Sequence, residues 1–171
     1  TLTDSSAASD VYKRQVFASG PPNFYLSPQR QNLACSSARQ IIDESTAVDI
    51  DPTLVMALIS VESNWKKTAV SRANACGLTQ VIPKYTGKIT KKHTCAQLKV
   101  PKNSIYVGIK TLKYWISWHK GDISRGLCAY NAGYRCGGKR PNKHGMRYAR
   151  KVLKVQKMIN RLYKEKSKQT N

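Results

Sequence analysis

Glu62 closes the most apolar stretch of the chain, following Leu54-Val55-Met56-Ala57-Leu58-Ile59-Ser60-Val61. A carboxyl in apolar surroundings has its charged form disfavoured, so its pKa rises. A rise of ~2 units represents about 2.7 kcal/mol of differential interaction between the two protonation states. Such a group holds its proton near neutral pH and can hand it to a leaving oxygen. The bland alternative is a helix-end glutamate facing water. The neighbours weigh against it: Ser63, Asn64 and Trp65 offer a hydroxyl, an amide and an aromatic face, the usual materials of a sugar site. Few other acids compete for the role, because the sequence holds only nine Asp and Glu. Asp4 and Asp10 lie in the leader, Asp43, Glu44 and Asp49 decorate the first helix and its end, Asp51 and Asp122 look like helix caps, and Glu165 lies in the tail.

The elements that must position Glu62 read as helices. Asp51-Pro52 is a strong helix start, with Asp as N-cap and Pro in the first turn. The helix from there to Glu62 is apolar nearly all round and is expected to be central and buried. Gln29 to Val48 has a helical pattern, with Leu33, Ser37, Ile41 and Ser45 on a mixed face. Residues 66–76 read as loop, Gly77 to Ile82 as a short helical piece, and Lys84 to Lys102 as a Lys-rich loop. Asn103 to His119 is a further helix with Ile105, Ile109, Leu112 and Ile116 on one face. Gly121 breaks it, and Asp122 caps the next, which ends near Gly133. Gly137 to Gly145 reads as a basic loop. A last helix carries Tyr148, Val152, Val155, Ile159 and Leu162 on one face and Arg147, Arg150, Lys151, Lys154, Lys157, Arg161 and Lys164 on the other. The expected fold is all-α, or α with a minor β element, in one domain over residues 29–162. Residues 1–28 form a leader without fixed structure, and 163–171 a basic tail that frays.

Four motifs recur in order: Glu62-Ser63, Gly77-Leu78-Thr79-Gln80, Ala129-Tyr130-Asn131-Ala132-Gly133, and Tyr148-Ala149 followed at two residues' distance by Val152. Each is weak alone. Together, over roughly Gln29 to Leu162, the chain resembles the soluble-type lytic transglycosylase (SLT) domain. One position departs: the family usually has Met where this chain has Thr79, a position expected to help line the glycan groove.

The resemblance implies a lysozyme-like fold and cleavage of peptidoglycan between N-acetylmuramic acid and N-acetylglucosamine. It implies Glu62 as catalytic acid and base, with Tyr130 hydrogen-bonding near it. Ser63 and Gln80 would bind N-acetyl or hydroxyl groups, Asn131 would order its motif, and Tyr148 would face the groove. Tyr148 equally fits the apolar stripe of its helix, and Asn131 equally fits a plain helix end. Trp65 can stack on a sugar or cover the core, while Trp115 and Trp118 read as core or edge residues. Most glycosidases need two carboxylates flanking the bond. One well-placed carboxyl favours a lyase, in which the sugar's own 6-hydroxyl closes on the anomeric carbon to give a 1,6-anhydro end. Goose-type lysozymes share the fold, so a hydrolase is the alternative.

The formal net charge is +21, from 30 Lys and Arg. That surface attracts polyanions at long range. Twelve Lys and Arg lie between Lys139 and Lys168. They read either as a solvated face or as attraction to anionic wall polymers or membrane surface, weakened by salt. A basic nucleic-acid-binding or non-catalytic wall-binding protein is the competing class. No zinc finger, RNA-recognition signature or helix-turn-helix supports specific nucleic-acid binding. Cys35, Cys76, Cys95, Cys128 and Cys136 show no zinc-ligand spacing with the three histidines. One or two disulfides in an oxidising compartment are expected, with pairing open. No metal or cofactor is expected, and the partner is the glycan strand, met by a monomer outside the cytoplasm. The run from Ser5 to Gln15 resembles translated adapter sequence, so about the first 15 residues are set aside and an export signal is expected to be missing. No apolar run is long enough to span a bilayer.

Overall fold

The computed structural model describes residues 26–167, with the backbone alone at 163 and 165–167. The leader reading falls almost wholly outside the described residues, as does the end of the basic tail. The described chain forms seven α-helices: α1 (Pro28–Thr46), α2 (Pro52–Ser63), α3 (Pro83–Thr86), α4 (Cys95–Leu98), α5 (Pro101–Trp118), α6 (Ile123–Ala132) and α7 (Lys143–Ser167), with a 3-10 turn (Gly133–Cys136) after α6. The all-α expectation holds. Two isolated bridges, Val70 with Cys76 and Cys76 with Val81, are the β-type pairing among the described residues. No described helix is long and apolar enough to cross a membrane.

Proline opens α1, α2, α3 and α5. Its missing N–H costs nothing in the first turn, and its fixed φ suits a helix start. Asp51 caps α2 by accepting from the Thr53 amide at 2.8 Å. Its second oxygen accepts from Gln156 of α7 at 3.1 Å, so the cap also ties two helices together. Asp122 caps α6 through the Arg125 amide at 2.9 Å. Helix α2 is buried continuously from Leu54 to Ser60. It packs between α1 and α7, while α6 joins α5 to α7. The α7 stripe supplies Ala149, Val152, Val155 and Ile159 to the core. Leu26, ahead of α1, is also fully buried, and α7 continues to Ser167 through the start of the stretch read as tail.

The end of α2 is abrupt. Asn64 and Trp65 both take left-handed backbone, with φ of 47° and 61°. Two consecutive non-glycine residues in that region cost of order 1–3 kcal/mol each and persist only where the surroundings over-determine them. Here the Trp65 indole is fully buried and donates to Ser60 Oγ at 3.1 Å. Arg30 donates to the Asn64 carbonyl at 3.3 Å. Of its two readings, Trp65 takes the core one. The break leaves Glu62 and Ser63 in the last turn of the central helix.

The segment from Gly77 to Gln80 is a turn, not the short helix expected. Gly77 and Gln80 both have positive φ, 78° and 51°, which no α-helix continues. Cys76 closes the turn by donating to the Val81 carbonyl at 3.0 Å. A Cβ on Gly77 would stand 1.9 Å from the Leu98 carbonyl oxygen, so glycine is required there twice over. The loop read over Lys84 to Lys102 contains α3 and α4, the latter opened by a capping box between Thr94 and Gln97. Two disulfides, Cys76–Cys95 and Cys128–Cys136, hold the outer segments. Cys35, on the buried face of α1, takes part in neither.

Candidate active site

Glu62, half-buried, lines a cavity of about 670 Å³. Burial pushes its carboxyl up to about 7, opposed by a hydrogen bond from Tyr148 and by the positive charge of Lys151. The Tyr148 hydroxyl donates to Glu62 Oε1 at 2.5 Å. Tyr148 and Lys151 lie one turn apart on α7, so one helix supplies both influences that hold the pKa down. Burial also raises the phenols of Tyr148 and Tyr130 well above their ordinary value, and the Glu62 charge adds to it. Both therefore remain neutral donors wherever Glu62 titrates. The arrangement is a carboxyl poised to give and take a proton near neutrality, oriented by a donor that does not itself ionise.

This geometry makes a direct prediction. Tyr148→Phe removes an interaction that favours the ionised carboxylate, so the Glu62 pKa should climb further above 7. A carbon-13 NMR titration of the Glu62 carboxyl reads it directly. An unchanged or lower value would show that the phenol does not stabilise the charged form.

Tyr130 touches the site differently from the sequence reading. Its hydroxyl donates to the Thr79 carbonyl at 2.8 Å, so it braces the Gly77–Gln80 turn and reaches Glu62 through the field alone. Thr79 does not line the cavity as expected. Its side chain is fully buried, with Oγ1 donating to the Ser104 carbonyl at 2.8 Å, because the turn aims it inward against α5. Ser63 Oγ donates to the Leu78 carbonyl at 2.8 Å, tying the end of α2 to the same turn. Neither Ser63 nor Tyr148 is on the cavity wall. Gln80 is on it, with its amide nitrogen committed to the Gly77 and Ala69 carbonyls at 2.9 and 3.2 Å. That fixes the amide group and leaves its carbonyl oxygen available as an acceptor. Asn131 lines the cavity and is exposed.

Sequence reasoning passes over much of the rest of the wall. Tyr114 and Trp115 of α5 line it, together with Tyr134 and Arg135 of the 3-10 turn and Tyr85 and Lys88 after the Gly77–Gln80 turn. Trp115 makes edge contacts with Tyr114 and Tyr134, each at 5.0 Å between centroids. Adjacent Tyr114-Trp115 near the C-terminal end of an amphipathic helix is the signal that could have pointed to this wall. Glu62 is the only acid among the residues lining the cavity. Asp51 and Asp122 are helix caps and are not among the residues lining it. Asp43 is engaged by Arg39 at 2.7 Å. No cluster of three metal-binding side chains occurs among the described residues.

Residues 39–152 match the family described as the transglycosylase SLT domain. Among solved structures, the chain is similar to an inactive Glu-to-Gln mutant of the lytic transglycosylase Slt from Pseudomonas aeruginosa. The identity is 23%, the TM-score 0.62, and the match covers 68% of this chain and 22% of that one. The chain thus corresponds to about a fifth of that protein's length. The likeness establishes the lysozyme-like fold.

Proposed function

The chain belongs to the transglycosylase SLT domain family, and on that footing we propose that it cleaves peptidoglycan glycan strands between N-acetylmuramic acid and N-acetylglucosamine, leaving 1,6-anhydromuramic ends. The observation that carries the reading is a single desolvated carboxyl, Glu62, alone among acids on the wall of the cavity. Protonated Glu62 gives its proton to the glycosidic oxygen as the bond to C1 breaks and positive charge develops on the sugar. The carboxylate so formed takes the proton of the same sugar's 6-hydroxyl as that oxygen bonds to C1. Glu62 ends protonated, ready for another cycle, and no water enters. An intramolecular nucleophile can have an effective molarity of ~10⁵ M or more when well oriented, which removes the need for a second carboxylate. The Slt mutant carries Gln in place of a Glu and is described as inactive; we assign the same kind of duty to Glu62.

Within this reading Tyr148 positions and tunes the acid. Gln80 and Asn131 offer polar atoms to N-acetyl and hydroxyl groups, and Tyr130 and Ser63 act by holding the Gly77–Gln80 turn. The site of action is the cell wall, outside the cytoplasm. The test is digestion of purified walls, followed by borohydride reduction of the soluble products and mass analysis. Anhydro ends resist reduction and lack one water; hydrolytic ends gain two hydrogens. Reducing ends would replace the lyase with a hydrolase, and no soluble product at all would remove the enzyme reading.

A further inference from the structure

The 3-10 turn after α6 carries two side chains that the acid chemistry leaves unused. Tyr134 is 62% exposed, unusual for so large a ring, yet its orientation is fixed. Trp115 and Trp118 hold it by edge contacts at 5.0 and 5.3 Å, and its hydroxyl meets that of Tyr114 at 3.1 Å. Arg135 stands beside it. The Arg135 Nε donates to the Ala132 carbonyl at 3.2 Å, which orients the guanidinium and leaves its terminal nitrogens open. The backbone between them is held by the Cys128–Cys136 bond and by the Asn142 amide on the Arg135 carbonyl at 3.0 Å.

Arg135 and Lys88 are the two cations lining the cavity. Among the described residues neither pairs with an acid, unlike Arg39 with Asp43 and Arg125 with Asp122. They do not serve the acid either, since the cation that acts on Glu62 is Lys151 of α7. A fixed aromatic face next to an oriented, unpaired guanidinium suits one ligand chemistry: a pyranose ring bearing a carboxylate. Guanidinium binds carboxylate through paired donors, and a preset geometry reduces the ordering cost.

We propose that Tyr134 and Arg135 read the acidic sugar of the strand, the ring stacking on Tyr134 and the carboxylate of that sugar's side arm pairing with Arg135. This deepens the proposed function and rests on it. In a strand of alternating sugars only the muramyl residue has such an arm. Its carboxylate is either the lactyl group itself, where the peptide has been removed, or the carboxylates of the attached peptide. Recognition of that arm sets the register of the strand, so that one of the two alternating linkages is presented to Glu62. Lys88, also on the cavity lining, adds to the same field.

Binding to the E62Q chain tests this without turnover. Four-sugar strand fragments are prepared in peptide-bearing and peptide-free forms, each also with its carboxylates converted to neutral methylamides. Charged fragments should bind about tenfold more tightly than neutral ones, as expected for one well-made carboxylate–guanidinium contact. The added R135Q substitution should abolish that difference, R135K should keep only a minor part of it because an ammonium lacks the paired donors, and Tyr134→Leu should weaken charged and neutral fragments alike. Discrimination confined to peptide-free fragments assigns the lactyl carboxylate; discrimination confined to peptide-bearing ones assigns the peptide. The proposal is overturned if charged and neutral fragments bind equally, if the difference survives R135Q, or if R135Q weakens all four by one factor. A parent chain that fails to cut walls would overturn the proposed function instead, in a separate assay.

Discussion

Replacing Glu62 with Gln is expected to reduce wall digestion by roughly 10²–10⁴-fold, the span general acid–base catalysis supplies, while making the fold more stable at alkaline pH. The two effects share one cause. The carboxyl is pushed up to about 7 by burial, so ionising it in the folded chain is unfavourable. In the unfolded chain it titrates near 4.3. Below that value it is neutral in both states and carries no penalty. As pH rises from there through about 7, the folded state must give up a proton it holds more tightly than the unfolded state does, and the stability it contributed is lost. The full penalty, on the order of a few kcal/mol, is present above the folded pKa. Gln keeps an oxygen for the Tyr148 donor and has no charge to bury. Thermal unfolding at pH 5 and pH 9 should therefore show the parent losing several degrees relative to E62Q on going alkaline. Parallel curves would mean that Glu62 is not desolvated. The parent's kcat/KM should likewise fall as pH rises through about 7, because the proton donor is the neutral form.

The second large effect concerns the cysteines. Seven consecutive residues that line the cavity, Ala129 to Arg135, lie between Cys128 and Cys136. Gln80, Val81, Ile82, Tyr85, Lys88 and Ile89 lie between Cys76 and Cys95. Each bond sits in a small apolar cluster separate from the main core under α2. Closing loops of these lengths contributes about 3 kcal/mol each in the chain-entropy account. That stabilisation is spent on cleft walls with little packing of their own. Gly145, at the start of the helix that brings Tyr148, lies flat against the second bond; a Cβ there would stand 2.6 Å from Cys128 Sγ. The C128S/C136S double variant, and the parent held in dithiothreitol, should therefore keep the helical circular dichroism of the parent and lose wall digestion by tenfold or more. Parental activity in the reduced chain would show that the walls hold themselves.

What the sequence makes legible, and what it hides, follows from the range of the interactions. The burial of Glu62 is readable because it depends on its own helix, whose apolar run and Asp51-Pro52 start are local. The partner of Glu62 is not. Tyr130 and Tyr148 both stand in recurring motifs, and choosing between them requires knowing how α7 crosses α2. The Ser63 hydroxyl donates to the Leu78 carbonyl, a contact made 15 residues away that no local pattern shows. Gly77 to Gln80 misleads in the same way, since its positive φ values answer to the disulfide, to Leu98 and to Ser104. Tyr134 and Arg135 are invisible for a further reason. They lie where composition says only loop, and the bond that makes them rigid joins cysteines whose pairing could not be read.

The contact between Tyr148 and Glu62 spans 86 residues. Chains leave the ribosome from the N-terminus, and contacts of long sequence separation form late. The acid and its helix are thus made early, and the side chain that orients the acid arrives with the last helix. A chain stopped anywhere before α7 has neither the Tyr148 donor nor the packing of α7 on α2. The hydrogen-bonded pair of Glu62 and Tyr148 therefore exists only once α7 has been made: shorter forms carry the glutamate without its donor.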